Sequence, residues 1–393
     1  MPSLLMGRFG THHPTTLGRM KRILHISKYY FPYHGGLEDI ARSIVMEMRG
    51  RYEQRVLCFN HTHTGTIRST EDGVEIVRVN APLTISSQPV SFSYLQVLRQ
   101  EIRSFRPDII HVHFPNPLIG LLLLLIPLDG IRIIIHWHSD ILGKQVLYRL
   151  YRPWEKRILQ RADTILTTSP QYKEHSTPLR DFIGKTQVLP NIIHEPKLLL
   201  QPEDKQAIEQ IKLRFSGKKI VFFLGRHVPY KGVDILLQAV PYLSDTCVVV
   251  IGGTGEQTAY WQQLAAPYGD KVQFVGELHD DEKRRFLYAS DVFAFPSIDR
   301  REAFGVALAE ALYCGVPAVS FRIEGSGSMW VNQNGKTGIV VDALEPRAYA
   351  EAVNTLLQDD VLRTQYSDAA HLWIKKHFLK DQLYSLLTVY GDA

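Results

Sequence analysis

The sequence has few cysteines, which limits how the fold can be held together. Only three occur in 393 residues, Cys58, Cys247 and Cys314, and they are far apart. An odd number of dispersed cysteines argues against a disulfide framework and indicates a reducing compartment. With 45% hydrophobic residues, the chain is long enough for about two or three domains with hydrophobic cores. We therefore expect a cytoplasmic protein.

The sequence also lacks an apolar run long enough to cross a bilayer. The most apolar segment is Pro117–Leu128, PLIGLLLLLIPL, which is bracketed by prolines and falls far short of about 20 residues. It predicts a buried helix. The first residues lack the basic stretch and the sustained apolar run of a signal peptide, so none is expected. Residues 1–19 are polar and without periodicity, which indicates a flexible extension.

Blocks of basic residues are missing as well. No run of five or more Lys or Arg occurs, and neither a zinc-finger nor an RNA-binding signature is present. We therefore expect no nucleic acid as a partner. The net charge of +5 is only mildly basic. Such a charge favours anionic small molecules or an anionic membrane surface as partners.

The chain contains two series of short apolar runs separated by helical or loop-like stretches. The first series is RILHIS, QRVLCF, EIVRV, DIIHVH, RIIIHWH and TILTTS, and the second is KIVFFLG, CVVVIGG, KVQFVG, DVFAFPS, PAVSF and GIVV. Such runs are typical of parallel sheets covered on both faces. The segment 188–197 contains two prolines and an asparagine, and indicates a linker.

These patterns predict an α/β fold. We expect two Rossmann-like, doubly wound domains, residues 20–193 and 194–372, that face a central cleft. Ligands of such sheets bind beyond the carboxyl ends of the strands, and the candidate motifs all follow strands. The last segment, 373–393, is expected to form a helix that packs back on the first domain.

Two cations follow the first strand of the second half. Gly225 ends that strand, Arg226 and Lys231 lie in the loop, and a helix is predicted to start near Asp234. Cations beside a helix N-terminus can bind a diphosphate, although loop cations are as often solvated surface charges. The glycines after the next strand, among them Gly253, either let a ligand approach the backbone or form a plain tight turn.

The segment EAFGVALAE holds two carboxylates, Glu302 and Glu310. A helix predicted to begin near Phe304 places Glu302 just before its start and Glu310 two turns inside it, with about 12 Å between them along the axis. A nucleotide-sugar lying there would meet Glu302 with its sugar and Glu310 with its ribose. The backbone N–H groups of Phe304, Gly305 and Val306 would face its phosphates. By spacing alone, a helix-start glutamate and a surface glutamate explain the pattern better.

Taken together, Arg226, Lys231, Glu302, Gly305 and Glu310 resemble the motifs of the retaining glycosyltransferases of family 4, which have the GT-B fold. The likeness spans nearly the whole chain after the N-terminal extension. It implies that GR…KG binds a diphosphate and that E-x-F-G, with a second Glu eight residues on, binds the donor. It also implies retention of the anomeric configuration, for which we expect front-face displacement. Fixed cations neutralise a leaving diphosphate without a metal, so no metal or other cofactor is expected.

The first half carries matching loops. YFPYHGGLEDIARS places Gly35 and Gly36 after the first strand, where the family's paired glycines approach the donor phosphate. In HWHSDI, His138 resembles the family histidine that reaches the donor sugar. His113, in the loop HVHFPNP, and Asp140 are candidates for contact with the acceptor. An isolated His-x-His could bind zinc, but no Cys or Glu lies nearby at ligand spacing.

The sequence resembles one branch of the family more closely. That branch is the bacterial O-antigen and exopolysaccharide mannosyltransferases that use GDP-mannose. The likeness is carried by WHSDI, LYRPWEKRILQRADTILTTSPQY and GSGSMWVNQNGKTGIVV, although the commoner Gly-Gly-x-Pro-Glu pattern is absent from the last loop. It implies that His138, Arg226, Lys231 and Glu302 are catalytic, and that Leu278 lies near the base. A UDP-sugar donor, a nucleotide-sugar 2-epimerase and a non-catalytic sensor are the alternatives.

The acceptor is indicated by the segment Lys144–Arg161, KQVLYRLYRPWEKRILQR. It interleaves six basic residues with Tyr148, Tyr151 and Trp154. Basic and aromatic residues on an amphipathic segment suit an anionic membrane surface, while a basic surface helix with aromatics in the core explains the pattern equally well. The family resemblance implies a polyprenyl-diphosphate-linked oligosaccharide as acceptor. We therefore predict peripheral attachment to the inner face of the cell membrane.

Overall fold

A computed structural model describes residues 19–33, 35–62, 65–85, 88–142 and 145–392. Residues 1–18 of the predicted extension, and Lys144 of the predicted membrane segment, lie outside the described residues. Within them the chain forms two α/β domains, each built around one mainly parallel sheet. The alternation of apolar runs predicted this arrangement, and the structure confirms it.

The first domain contains one large sheet and a small hairpin. Its described strands are β1 (Arg22–Ile26), β2 (Glu53–Phe59), β3 (Ile67–Glu71), β4 (Val74–Val79), β5 (Leu83–Ile85), β6 (Gln88–Val90), β7 (Ile109–Phe114), β8 (Arg132–Trp137), β9 (Thr164–Thr167) and β10 (Thr186–Val188). The sheet has the order β10-β9-β8-β7-β1-β2-β4-β3, and β3 runs antiparallel to β4. Strands β5 and β6 form the hairpin. The helices are α1 (Gly36–Glu47), α2 (Tyr94–Phe105), α3 (Pro117–Leu124), α4 (Gln145–Arg161) and α5 (Pro170–His175).

The second domain is built on a six-stranded parallel sheet. Its strands are β11 (Lys219–Leu224), β12 (Cys247–Gly252), β13 (Val272–Gly276), β14 (Val292–Phe295), β15 (Ala318–Phe321) and β16 (Gly338–Val341). Their order is β13-β12-β11-β14-β15-β16. The helices are α6 (Asp204–Arg214), α7 (Val233–Ala239), α8 (Thr258–Ala265), α9 (Asp280–Ala289), α10 (Val306–Tyr313), α11 (Ser328–Val331), α12 (Pro346–Gln358) and α13 (Asp360–His377). A last helix, α14 (Ser385–Tyr390), follows.

Burial of the central strands explains why the sequence shows them as continuous runs. Every residue of β7 and of β12 is buried. Since successive side chains of a strand point to opposite faces of the sheet, both faces of these strands are covered and need apolar side chains that pack. Each strand also pairs with a neighbour on both edges. The loops after β1, β7 and β8 in one domain, and after β11 and β14 in the other, supply the candidate site.

The C-terminal segment returns to the first domain, but it crosses later than residue 373. Helix α13 runs through that position, and Phe378 just after it still packs in a core of the second domain. Leu386 and Tyr390 pack in a core of the first domain. The backbone N–H of Ile193, in the linker, donates to the carbonyl oxygen of Phe378 at 2.9 Å. The two connections between the domains therefore run side by side.

The apolar segment predicted as a buried helix forms α3, which is buried on one face. Ile119, Gly120 and Leu123 are buried, whereas Leu125 just beyond the helix is 58% exposed. Helix α3 packs against α4. Among the helices that the structure describes, none combines the length and the apolar character that a membrane span requires.

Candidate active site

The loop after β11 carries the two predicted phosphate-binding cations in different environments. Arg226 is exposed, and no described carboxylate forms an ion pair with it. Lys231 is 9% exposed and ends a short 3-10 turn. Gly232 follows with a φ of 61°, and a Cβ there would lie 2.1 Å from the carbonyl oxygen of Pro296. Glycine is therefore required for this loop to lie against the loop after β14.

Lys231 forms a buried ion pair with Glu302. The Nζ of Lys231 donates to Oε2 of Glu302 at 2.5 Å, and Oγ of Ser297 donates to the same oxygen at 2.9 Å. Glu302 is 7% exposed. No described residue donates to its other oxygen, Oε1. The predicted sugar-binding carboxylate and the predicted phosphate-binding lysine thus meet, and one carboxylate oxygen is left for a ligand hydroxyl.

Gly253 has a packing role that the sequence did not indicate. Its φ is 108°, and a Cβ there would lie 2.0 Å from the carbonyl oxygen of Gly225. Its N–H donates to the carbonyl oxygen of Gly276 at 2.6 Å. Glycine at 253 thus lets the loop that begins at Gly225 pack against the loop after β12. Leu278 lies at the same edge, since a Cβ on Gly252 would lie 3.2 Å from its Cδ1.

Helix α10 begins two residues after the predicted start, at Val306. Gly305 precedes it with a φ of 91°, and a Cβ there would lie 3.0 Å from the ring of Phe295. Phe304 is 2% exposed and packs edge-on against Phe378, so only its backbone can contact a ligand. Gly305 offers no side chain to cap the helix. The first N–H groups of α10 can therefore bind an anion.

Glu310 is paired with a lysine that the sequence analysis missed. The Nζ of Lys283, on α9, donates to Oε1 of Glu310 at 2.7 Å and lies 3.7 Å from a carboxylate oxygen of Asp280. Burial lowers the pKa of Lys283, but the charges of Glu310 and Asp280 outweigh burial and raise it overall. Both glutamates of the EAFGVALAE segment are thus held by a lysine from a neighbouring element. This arrangement fixes where their free oxygens point.

Gly35 and Gly36 lie at the start of α1, next to a buried carboxylate. Glu38 is buried, and a Cβ on Gly35 would lie 2.4 Å from its Oε2. Burial raises the pKa of Glu38, and the opposing charges that act on it include that of Arg226 in the other domain. The charge of Arg226 thus acts on the carboxylate beside the glycine loop from the other domain. The carboxylate of Glu38 fills space beside Gly35 where a donor phosphate was expected.

His138 and His113 form a buried, hydrogen-bonded pair. Nδ1 of His113 lies 3.0 Å from Nε2 of His138. Burial lowers the pKa of His138 to about 3, so its imidazole is neutral at physiological pH. His113 has no exposed surface, so its side chain lies behind His138 rather than at the cleft wall. The acceptor contact predicted for His113 has no geometric support, because every residue of β7 is buried.

The neighbouring histidines raise the question of a metal site. Two groups of three, His25–His111–His113 and His113–His136–His138, have ring nitrogens within 4.8 Å of one another. The lone pair that His113 would offer the second group points at His138 across 3.0 Å. A Zn–N bond is about 2.0 Å long, so a metal between two such facing nitrogens needs about 4 Å. The geometry observed suits a shared proton instead.

Asp140 links the two domains instead of lining an open surface. Its Oδ1 accepts hydrogen bonds from Nε1 of Trp137 at 2.9 Å and from Oγ of Ser176 at 2.6 Å. Its Oδ2 lies 3.2 Å from Nη2 of Arg300, in the loop after β14. The Arg300 guanidinium also lies 5.0 Å from the Tyr172 ring centroid. An acceptor contact by this carboxylate stays a prediction, and the structure assigns its oxygens to the domain interface.

Together these groups form a cleft suited to an elongated anionic ligand. Arg226 and the N-terminus of α10 offer positive potential. Glu302 and Glu310 each keep an oxygen that no described residue engages, and carboxylates of this kind accept hydrogen bonds from hydroxyl groups. The first domain adds Gly35 and His138 from the opposite wall. A diphosphate with a polyhydroxylated group at each end fits this distribution of charge.

Comparison with known proteins identifies the family. The family model for glycosyl transferases group 1 matches residues 204–373, and that for the glycosyl transferase 4-like domain matches residues 35–191. The O-antigen chain mannosyltransferase C of Escherichia coli is 30% identical over 366 residues, which cover 92% of this chain and 95% of that protein. This chain belongs to the group 1 glycosyltransferases. The predicted membership of family 4 is thereby confirmed.

Other relatives and solved structures of glycosyltransferases agree with this assignment. The D-rhamnosyltransferase WbpZ of Pseudomonas aeruginosa is 31% identical over 342 residues, 85% of this chain and 86% of that protein. Sucrose-phosphate synthase of Thermosynechococcus elongatus has a TM-score of 0.76 at 17% identity, covering 94% of this chain and 98% of its own. HepE of Anabaena, in complex with UDP and glucose, has a TM-score of 0.74 at 18% identity, covering 94% and 99%. These neighbours establish the GT-B fold of this glycosyltransferase.

Proposed function

We propose that this glycosyltransferase transfers mannose from GDP-mannose, with retention, to a polyprenyl-diphosphate-linked saccharide during surface polysaccharide assembly. The observation that carries the transfer chemistry is the buried Lys231–Glu302 pair. It lies in a loop system with Arg226, which is exposed and has no ion-pair partner in the part of the chain that the structure describes. One wall of the cleft thus carries both the positive charge that a leaving diphosphate requires and a carboxylate that can accept hydrogen bonds from sugar hydroxyls.

In the proposed reaction, the bond between the sugar and the diphosphate breaks, and charge builds up on the diphosphate. Arg226, Lys231 and the N–H groups at the start of α10 stabilise that charge, since preorganised donors are worth most in a site shielded from water. No metal is needed for this. Glu302 accepts hydrogen bonds from sugar hydroxyls, and Glu310 holds the ribose. The acceptor hydroxyl attacks the face that the diphosphate leaves, and it passes its proton to the departing phosphate.

The choice of mannose rests on the relatives. One of them is named for mannose and another for D-rhamnose. These sugars have the same configuration at C2, C3 and C4, and D-rhamnose lacks only the 6-hydroxyl of mannose. The proposal therefore commits to a donor sugar of manno configuration. D-rhamnose is the second candidate, and comparing initial rates with GDP-mannose and GDP-D-rhamnose decides between them.

The membrane-bound acceptor is supported by the exposed face of α4. Val146, Leu147 and Leu150 are all more than half exposed, and Trp154 is exposed with Arg157 4.8 Å from its ring centroid. Solvated apolar side chains among basic ones favour insertion into an anionic bilayer surface. Attachment through this face would hold the first domain at the surface where a lipid-linked acceptor resides.

Thermal unfolding with a panel of nucleotides tests the donor. GDP, UDP, ADP and CMP are each added with and without a chelator, because a ligand at 100 times its Kd stabilises the fold by about 2.7 kcal/mol. The proposal expects GDP alone to raise the midpoint, equally in both conditions. A shift with UDP alone would remove the GDP-mannose assignment and leave the transferase assignment intact.

Flotation with vesicles tests the membrane contact. Wild-type protein should float with vesicles containing phosphatidylglycerol, and Leu150→Glu should not. Leu372→Glu is the matched control, because Leu372 on α13 is 67% exposed and Leu150 is 69% exposed, but they lie in different domains. Equal flotation of Leu150→Glu and Leu372→Glu would contradict the proposed surface.

A further inference from the structure

We infer that Arg300 is a positioning residue that holds Glu302 in register with His138 across the cleft. The inference rests on the proposed function for what these two residues bind. It starts from the ion pair between the domains, in which Nη2 of Arg300 lies 3.2 Å from Oδ2 of Asp140. Asp140 follows His138 by two residues. Arg300 precedes Glu302 by the same number. The ion pair therefore joins the two loops that carry the proposed sugar contacts.

Hydrogen bonds fix the position of Asp140 in the first domain. Its Oδ1 accepts from Nε1 of Trp137 at 2.9 Å and from Oγ of Ser176 at 2.6 Å. Its backbone N–H donates to the hydroxyl of Tyr172 at 2.5 Å. Asp140 is 9% exposed, and Tyr172 is buried. These bonds leave Oδ2 of Asp140 as a fixed anionic contact for Arg300.

In the second domain, Arg300 lies in a tight turn that ends at Glu302. The N–H of Glu302 donates to the carbonyl oxygen of Asp299 at 3.0 Å. This bond closes a turn with Arg300 and Arg301 at its centre, so a displacement of Arg300 also displaces the backbone of Glu302. The Arg300 guanidinium lies 5.0 Å from the ring centroid of Tyr172, which adds a cation–π contact to the ion pair. The turn is thereby attached to the first domain through Arg300.

The segment after Glu302 is attached to the first domain as well. Ala303 packs against the large apolar core of that domain, and its carbonyl oxygen accepts from the N–H of Gly327 at 2.9 Å. A Cβ on Gly327 would lie 3.1 Å from Oγ of Ser169, which precedes α5 of the first domain. Glu302 thus lies between two attachments to the first domain, one at Arg300 and the other at Ala303.

The contacts of Arg300 are not those that stability alone would select. Its Nε and Nη2 atoms are buried, and neither makes a directed hydrogen bond to a described residue. Buried donors without acceptors are destabilising. An apolar side chain of similar volume would pack against Tyr172 without that cost. Residues that break a local rule without a gain in stability are expected at functional sites.

The proposed reaction gives this contact a role. The side chain of Glu302 is held within the second domain by Lys231 and Ser297, so its own domain fixes its orientation. Its position relative to His138 depends on contacts between the domains. Since both residues are proposed to bind one sugar, a misplacement of about 1 Å can lower the rate by about 100-fold. Loss of the Arg300 contact should therefore lower turnover and leave nucleotide binding unchanged.

Hydrogen exchange in the free protein tests the contact without a substrate. Asp140→Asn keeps an oxygen for the bonds within the first domain but removes the charge that faces Arg300. The backbone amides of residues 299–305, in the other domain, should then exchange at least about threefold faster than in wild type. Asp129→Asn is the matched control, because Asp129 is an exposed aspartate of the first domain, and it should leave that segment unchanged. Equal exchange of residues 299–305 in the two variants would overturn the inference.

A double-mutant cycle tests the role in sugar transfer. Arg300→Met keeps a side chain that packs on Tyr172 but removes the charge, and Asp140→Asn removes the partner charge. Each should lower kcat by about 10- to 100-fold, while the Kd for GDP, which carries no sugar, stays as in wild type. The double variant should lose no more than the worse single variant, because both changes remove one contact. Losses that multiply would show that the two residues act independently, and would overturn the inference.

A neighbouring variant separates the link between the domains from local damage to the turn. Arg301 occupies the next position of the turn, and its contacts with Asp299 and Tyr230 stay within the second domain, so Arg301→Ala should keep the wild-type kcat. If Arg301→Ala and Arg300→Met lower kcat equally, only the turn itself matters and the inference fails. If the wild-type protein transfers no sugar from any nucleotide donor, the proposed function fails. The exchange experiment still measures the link between the domains in that case.

Discussion

Replacing Glu155 by glutamine is expected to stabilise the protein, and to do so only at neutral and alkaline pH. Glu155 lies on α4 and is 2% exposed. Its Oε2 accepts a hydrogen bond from the hydroxyl of Tyr148 at 2.7 Å, while Oε1 has no partner among the described residues. Burial raises the pKa of Glu155 to about 7, although the bond from Tyr148 opposes the rise. A charge at this position is therefore costly.

The size of the effect follows from proton linkage. A carboxyl with a pKa of 4.5 in the unfolded chain and about 7 in the folded one keeps its proton up to a higher pH in the folded state. The contribution of this group to the free energy of unfolding is greatest below about pH 4.5. It decreases between the two pKa values and is lost above about pH 7. The difference of about 2.5 in pKa, at 1.36 kcal/mol each, amounts to ~3 kcal/mol. Glutamine avoids this penalty, but burying its amide costs about 1 kcal/mol, which leaves a gain of ~2 kcal/mol.

Urea unfolding at pH 5 and pH 8, followed by tryptophan fluorescence, measures this gain. Glu155→Gln should be more stable than wild type by about 2 kcal/mol at pH 8 and should show no gain at pH 5. The matched control is Glu174→Gln, since Glu174 on α5 is exposed, and it should change neither value. A gain of the same size at both pH values, or none at pH 8, would refute the reasoning.

Three further predictions concern the cleft. Glu38→Gln should lower the Kd for GDP, measured by calorimetry, about fivefold, because removing a carboxylate near the phosphates relieves ~1 kcal/mol of repulsion. Weaker binding would show instead that Glu38 helps to hold the donor. Glu310→Ala should weaken GDP binding about tenfold or more, since it removes a charged hydrogen-bond acceptor; an unchanged Kd would move the ribose contact elsewhere. Gly253→Ala should lower the free energy of unfolding by about 2 kcal/mol or more, because the new Cβ would lie 2.0 Å from the carbonyl oxygen of Gly225. A variant as stable as wild type would contradict that contact.

Much of the fold was predictable because buried parallel strands are apolar on both faces and stand out as short runs. Each of the twelve apolar runs overlaps a strand of one of the two large sheets. The antiparallel strand β3 was missed, because its sequence, IRSTE, is polar and mostly exposed. The start of α10 was placed too early, since a positive φ at Gly305 cannot be read from residue type alone.

The site was predictable only where residues belong to one local motif. Arg226, Lys231, Glu302 and Glu310 were predicted from spacing and resemblance, and the structure brings the first three into adjoining loops. Their partners Ser297 and Lys283 were not found, because such pairs are made by packing between elements. The strand-end position of Ser297 and the cluster of charges around Lys283 were the only signals. A fully buried strand likewise gives no sign that His113 points inward.

Arg226 has the most direct role in the proposed mechanism, because it is expected to stabilise the leaving diphosphate. Transfer from GDP-mannose to a short-chain polyprenyl-diphosphate saccharide, measured by mass spectrometry with a chelator present, tests it. Arg226 is exposed, so Arg226→Ala should fold as wild type does, yet its turnover should fall by about 100-fold or more. Lys212→Ala, an exposed cation on α6, should match wild type. Turnover of Arg226→Ala within a few-fold of wild type, or no turnover by wild type until a metal is restored, would contradict the account.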